Sequence, residues 1–141
     1  MKENKDNRFA ELSLLSKGEN NYPTNPDDAT LETFTNLYPH RDYVITFDCP
    51  EFTSLCPVTS QPDFGEITIR YVADELCVES KSLKLFLFSF RNHNSFHEEV
   101  VNRILEEIVD VCSPRWAEVT GKFRPRGGIA IHVTASTKQE S

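Results

Sequence analysis

The chain has 141 residues and a mass of 16.2 kDa, enough for one domain with one sizeable hydrophobic core. Fifteen Lys and Arg against 22 Asp and Glu give a formal charge of −7 and a pI of about 5.1, which argues against a broad electrostatic grip on nucleic acid, so any anion must be met locally. No apolar run approaches the roughly 20 residues of a membrane span, and four cysteines at 49, 56, 77 and 112 without a C-x-x-C pair or a secretory leader argue against a disulfide framework, so a cytoplasmic protein is expected.

Residues 1–40 are polar, with prolines at 23, 26 and 39, and predict a partly mobile arm outside the core. Two apolar islands interrupt it, Leu12-Ser13-Leu14-Leu15 and Leu31-Glu32-Thr33-Phe34, which can dock on the domain or on a neighbouring subunit. The folded domain is expected over residues 41–134, followed by a polar tail, 135–141. Tyr43-Val44-Ile45-Thr46-Phe47 has strand composition, with Pro50 as its end. From Gly65 to Val72 the residues alternate, placing Ile67, Ile69 and Tyr71 on one face and Glu66, Thr68 and Arg70 on the other, the pattern of a half-buried antiparallel strand. Leu76-Cys77-Val78 continues extended after an acidic turn.

Residues 81–92 suit either a helix or a buried strand, and a helix with Ser80 as N-cap is the expectation. Phe96, Val100, Ile104, Ile108 and Val111 then recur at helical spacing, with Ser95 and Glu98 as a capping-box signature and Pro114 beyond the end. Strands over residues 116–123 and 128–133 follow, joined by the turn Arg124-Pro125-Arg126-Gly127. The order ββααββ predicts an α+β fold, an antiparallel four-stranded sheet with two helices on one face. Its open edges predict a symmetric oligomer in which sheets join edge to edge.

Residues 79–98 begin and end on carboxylates and enclose two lysines, an arginine and two histidines around an apolar run, which suits a ligand-holding segment or a buried element with polar ends. The reactive candidate lies in the loop between the first two strands. Cys56 sits there between prolines, whereas Cys77 and Cys112 fall in apolar patterns and read as packing; Cys49 is undecided. An inert thiol is the commoner state of a lone loop cysteine, because reactivity needs a lowered pKa or a nearby base. Asp63, seven positions on, suits either a proton donor or a plain turn aspartate before Gly65. His93 and His97 lie four apart, but Asn94 and Ser95 interrupt any helix between them and neither H-E-x-x-H nor a deaminase signature is present, so no metal is expected and a hydrogen-bonded structural role is the alternative, more so for His93.

Glu79-Ser80-Lys81-Ser82-Leu83-Lys84-Leu85-Phe86, Ser89-Phe90-Arg91-Asn92-His93, Phe96-His97-Glu98, and Gly121-Lys122-Phe123 with Pro125-Arg126-Gly127-Gly128 occur in order, and on these motifs the chain resembles the NADPH-dependent 7-cyano-7-deazaguanine reductases, the nitrile reductases of queuosine biosynthesis in their short unimodular form. The similarity covers roughly residues 40–133. It implies a tunnelling fold whose ββααββ units join into barrels, most simply as a homo-oligomer of two pentamers with active sites near subunit interfaces. It also implies that Cys56 attacks the nitrile to form a thioimide, that Asp63 protonates its nitrogen, and that two NADPH deliver hydrides in turn through an imine to the aminomethyl product. By the same resemblance Glu98 anchors the deazapurine with His97 beside it, and Val78, Glu79 and Ser80 line the pocket; a capping role for Glu98 stands as the other reading. No G-x-G-x-x-G follows a strand, so phosphates must meet side chains. Lys81, Lys84 and Arg126 are the candidates for NADPH, with solvated surface as the alternative for each. The chain stops soon after its last predicted strand, which leaves open any contact made by the longer C-terminal extension of some relatives. Two other classes remain: a zinc-dependent tunnelling-fold cyclohydrolase acting on a purine or pterin nucleotide, and a non-catalytic purine-binding module. Direct contact with nucleic acid or membrane is not expected.

Overall fold

The computed structural model describes residues 22–137. The alternation read in the sequence forms β3, Pro62–Val72, and Ile67, Ile69 and Tyr71 are fully buried. It is the inner strand between β2, Val44–Leu55, and β5, Trp116–Phe123; with β6, His132–Ser136, these make an antiparallel sheet in the order β2-β3-β5-β6. Two helices follow β3 in the chain, α1, Ser80–Phe88, and α2, His97–Cys112. Val100, Val101, Ile104 and Ile108 of α2 bury completely against Ala117 and Val119 of β5, while α1 lies by β2. The α+β class and the ββααββ core are therefore as expected. A second, small sheet pairs β1, Thr33–Thr35, with β4, Leu76–Val78.

Several boundaries differ from the sequence reading. Pro50 does not end β2. The strand passes through it at a bulge between Cys49 and Phe52, which an edge strand tolerates because the missing N–H faces no ladder partner. The arm is not outside the core throughout: Leu31 joins the core, Pro26 is fully buried, and Glu79 N donates to Glu32 O at 2.9 Å. The Leu31–Phe34 island thus docks on its own domain, whereas the Leu12–Leu15 island lies outside the described residues.

Helix α1 is capped by Glu79 rather than Ser80, its Oε1 accepting from Ser82 N and its Oε2 from Lys81 N, both at 2.7 Å. It stops at Phe88, where Phe90 N and Arg91 N turn back to Leu87 O and Phe88 O in 3₁₀ fashion. The capping contact of α2 comes from Glu99, not Glu98: Glu99 Oε1 accepts from Phe96 N at 3.0 Å. Beyond β5 the chain makes a tight two-residue turn. Gly127 (φ 61°) and Gly128 (φ 81°) sit between Arg126 and Ile129, whose backbones bond each other at 3.0 and 3.2 Å. Positive φ at both central positions is what a primed hairpin turn demands, and it postpones β6 to His132 instead of the expected 128.

Candidate active site

The turn from β2 to β3 occupies residues 56–61 and is closed by its own backbone: Cys56 N donates to Gln61 O and Ser60 N to Cys56 O, both at 2.9 Å, with Ser60 left-handed at φ 59°. The end of β2 is tied to the segment before α2, since Leu55 N donates to His93 O and Leu55 O accepts from Ser95 N. That bridge sets the start of α2, and so His97, beside the turn that carries Cys56.

Within the turn the Thr59 hydroxyl does most to lower the Cys56 thiol below its ordinary range, followed by the backbone N–H groups of Thr59 and Val58; desolvation and the Asp63 carboxylate act in the other direction. The thiolate is the nucleophile, so this microenvironment separates Cys56 from its neighbours. Burial, with Asp48 adding to it, pushes Cys49 up to about 11, and burial followed by Cys77 pushes Cys112 up to about 12. All four thiols are free.

Asp63 is buried at 6% exposure and stands opposite Ser54 on β2. One oxygen receives Arg126 Nη1 at 2.7 Å; the other lies 3.3 Å from His97 Nε2. The histidine ring stacks on Phe123 with centroids 3.9 Å apart and planes within 1°. Its approach to Asp63 is close, but neither ring nitrogen is aligned for a hydrogen bond, and both are buried, as is the unpartnered hydroxyl of Ser54. Buried polar atoms left without protein partners beside a carboxylate are unusual and suit a ligand.

The structure thus brings Cys56, Asp63, His97 and Arg126 together. Glu98 follows His97 on α2; its side chain is exposed, and Glu99 has taken the capping role that would have occupied it. The remaining predicted residues lie at the head of α1. Val78 is core, its N–H bonded to Tyr71 Oη at 2.8 Å; the Glu79 carboxylate is spent on the helix N-terminus; Ser80 is exposed. Of the predicted cofactor contacts, Lys84 is exposed on α1 and lines a cleft of about 300 Å³ with Leu87, Phe88 and Arg91, against the bulged edge of β2. Arg126 instead belongs to the Cys56 turn. A second cleft of about 340 Å³ continues from Arg91 to Lys122 and Arg124. Neither cleft includes Cys56 or Asp63.

Thr59, Gln61 and Ser54 lie in or beside the loop singled out in the sequence and Arg91 in one of its motifs, but no individual role is legible there for any of the four. Thr59 had a local signal, a hydroxyl three residues after the cysteine in a short loop. Arg91 had one too: it extends the Lys81 and Lys84 row by seven positions, two helical turns. Among the described residues no group of three or more His, Cys, Asp and Glu side chains is placed to hold a metal ion.

Residues 62–141 match the family model described as QueF-like protein. Among curated relatives, the NADPH-dependent 7-cyano-7-deazaguanine reductase of Neisseria gonorrhoeae (strain NCCP11945) is 53% identical over 125 residues, 89% of this chain and 80% of the relative. Those of Streptococcus mutans serotype c and Streptococcus thermophilus (strain ATCC BAA-491 / LMD-9) are 54% and 55% identical over 121 and 120 residues, covering 86% and 85% of this chain and 75% and 74% of theirs. Among solved structures, an archaeosine synthase QueF-Like in the apo form superposes with a TM-score of 0.65 at 21% identity, covering 70% of this chain and 96% of that one, a likeness of fold.

Proposed function

Because the chain belongs to the QueF-like family, whose relatives above are NADPH-dependent 7-cyano-7-deazaguanine reductases, we propose that its reaction is carried by Cys56 and Asp63 at the turn between β2 and β3. The reaction is the NADPH-dependent reduction of a nitrile, that of 7-cyano-7-deazaguanine, to an aminomethyl group, on the tunnelling fold. The observation that carries the assignment is the thiol. Cys56 is the cysteine whose surroundings lower it, while burial raises Cys49 and Cys112. Sulfur adds to the nitrile carbon, one π pair of the C≡N bond becomes a lone pair on nitrogen, and Asp63 passes a proton to that nitrogen, leaving a C=N bond open to reduction. NADPH, when bound, supplies the hydrides.

The chain's own groups hold the substrate. Glu98 offers two acceptors to the N1–H and 2-amino edge of the base, the pairing a carboxylate serves best. His97, with both nitrogens unspent, precedes Glu98 on α2 and lies 3.3 Å from Asp63, and its stack on Phe123 fixes the ring plane. The donor set along α1 and the turn after it fits a phosphorylated dinucleotide: Lys84 and Arg91 give cations, Leu87 and Phe88 an apolar wall, and Lys81 lies one turn before Lys84.

Val78, Glu79 and Ser80 enter the account as the wall of a pocket completed by a second copy. The edges of the four-stranded sheet, β2 and β6, support this, as do Val58 at 79% and Ile129 at 68% exposure on the turns flanking the thiol. The family expectation of two joined pentamers is compatible with such edges. Free thiols and NADPH chemistry favour the cytoplasm, and among the described residues no helix is long and apolar enough to cross a membrane.

The test is stoichiometric turnover. Wild-type protein consumes two NADPH per nitrile, and Cys56→Ala consumes none while retaining the secondary structure of the wild type. Turnover by the alanine variant would remove the thiol from the mechanism.

A further inference from the structure

We infer that Arg126 is a positioning residue for the nitrile chemistry, holding Asp63 and the turn behind Cys56 in reacting register, rather than a cofactor contact. This rests on the nitrile-reductase reading above. The guanidinium reaches three acceptors on one short segment: Asp63 Oδ1 at 2.7 Å, Thr59 Oγ1 at 3.3 Å, and Gln61 Oε1. Its own backbone is fixed by the Gly127-Gly128 turn, so the fork is presented from a rigid base, and a planar five-donor group is the side chain suited to such a set.

Hydroxyl bookkeeping at Thr59 gives the contact its meaning. Thr59 Oγ1 accepts from Arg126 Nη2 and from Gln61 N, both at 3.3 Å, which occupies its two lone pairs. The single remaining O–H hydrogen is then left for the Cys56 thiol, which the Thr59 hydroxyl does most to hold low. The charges that face the thiol are Asp63 from β3, which opposes a thiolate, and Arg126 from the β5–β6 turn, which is ion-paired to that carboxylate; His97 from α2 faces Asp63 from the other side. Removing Arg126 therefore frees the Thr59 hydroxyl to reorient and leaves an uncompensated carboxylate beside Cys56.

The proton route follows. With one Asp63 oxygen held by Arg126 Nη1 at 2.7 Å, the carboxyl group is placed to take the proton that leaves the Cys56 thiol as sulfur adds and to pass it to the nitrile nitrogen. The S–C bond forms, one C–N π bond breaks, and no external acid is needed.

Adduct formation needs no NADPH, which separates the two roles. The experiment mixes nitrile with wild type, Arg126→Gln and Arg126→Lys in the absence of NADPH and follows the thioimide absorbance; Cys56 alkylation by iodoacetamide is read against pH, and KM for NADPH is measured separately. Arg126→Gln is expected to form the adduct on the order of 10²-fold more slowly, the effect of mispositioning reacting groups by about an ångström. Its alkylation midpoint is expected at higher pH, and Arg126→Lys, which keeps the charge but not the fork, is expected to recover part of both. Adduct formation and an alkylation midpoint at wild-type values, with only KM for NADPH raised, would overturn the inference in favour of a cofactor contact. If Arg126→Gln does not fold, Arg126→Lys decides alone: slowed adduct supports the inference and wild-type adduct refutes it. Wild type that forms no adduct refutes the nitrile reading itself, and the alkylation midpoint then still decides what Arg126 does to Cys56.

Discussion

Replacing Glu79 by Gln tests whether that carboxylate serves the helix or the substrate. Its two oxygens accept separate backbone N–H groups, Lys81 N and Ser82 N, each at 2.7 Å, and the residue is only 6% exposed. Glutamine keeps one acceptor and turns an NH₂ toward the other N–H, so one bond is lost and a donor is left facing a donor. A hydrogen bond to a charged group contributes about 1.5–3 kcal/mol, and N-cap losses centre near 1 kcal/mol, so a cost of about 2 kcal/mol is expected. At about 4 °C per kcal/mol for a domain of this size, Tm should fall by roughly 8 °C. Urea unfolding followed by circular dichroism at one fixed protein concentration measures this directly, because assembly would otherwise shift the midpoint. If Glu79→Gln unfolds within about 0.5 kcal/mol of wild type while substrate affinity falls, the carboxylate faces the ligand and the capping argument is wrong.

Three further outcomes follow from the same geometry. Glu98→Gln should weaken substrate binding with stability unchanged to about 0.5 kcal/mol, whereas Glu99→Gln should cost about 0.5–1 kcal/mol and leave binding alone; calorimetric titration beside thermal melts separates them, and the reverse pattern would return the capping role to Glu98. Iodoacetamide at neutral pH should label Cys56 first, since a lowered thiol carries more thiolate at a given pH, with Cys49 and Cys112 labelled only as pH rises toward their upward-shifted values of about 11 and 12; peptide mapping reads the order. Gly121→Ala should destabilise by about 1–3 kcal/mol in the same unfolding assay, because a Cβ there would lie 2.7 Å from Val101 Cγ2 and from the Phe123 ring that supports His97.

What could be read in the chain beforehand was whatever repeats locally. The period-2 pattern of Ile67, Ile69 and Tyr71 and the helical spacing of Val100, Ile104 and Ile108 each report a face meeting the core, and all six are fully buried. Features decided by a partner far along the chain could not be read that way. Pro50 reads as a stop unless its strand is known to be an edge, and that depends on which strands β3 selects as neighbours. Serine is the commoner N-cap, so Ser80 displaced Glu79 in the expectation, although the longer carboxylate reaches two amides where a hydroxyl reaches one. Motif resemblance and loop position single out Cys56 and Asp63; the hydroxyl that lowers the thiol, and the arginine 67 residues away that donates to that hydroxyl, lie in tertiary contact. Charge groups Arg126 with Lys81 and Lys84, and the carboxylate that lies opposite its hairpin turn is set by tertiary contact that charge does not report.

The central claim is that Cys56 is the covalent nucleophile toward a nitrile on a deazapurine. Intact-mass spectrometry of wild-type protein mixed with 7-cyano-7-deazaguanine in the absence of NADPH, followed by peptide mapping, tests it directly. A mass increase equal to one whole substrate molecule per chain is expected, located on the peptide that carries Cys56 and lost on addition of NADPH. An unmodified protein, or an adduct on Cys49, Cys77 or Cys112, would contradict it.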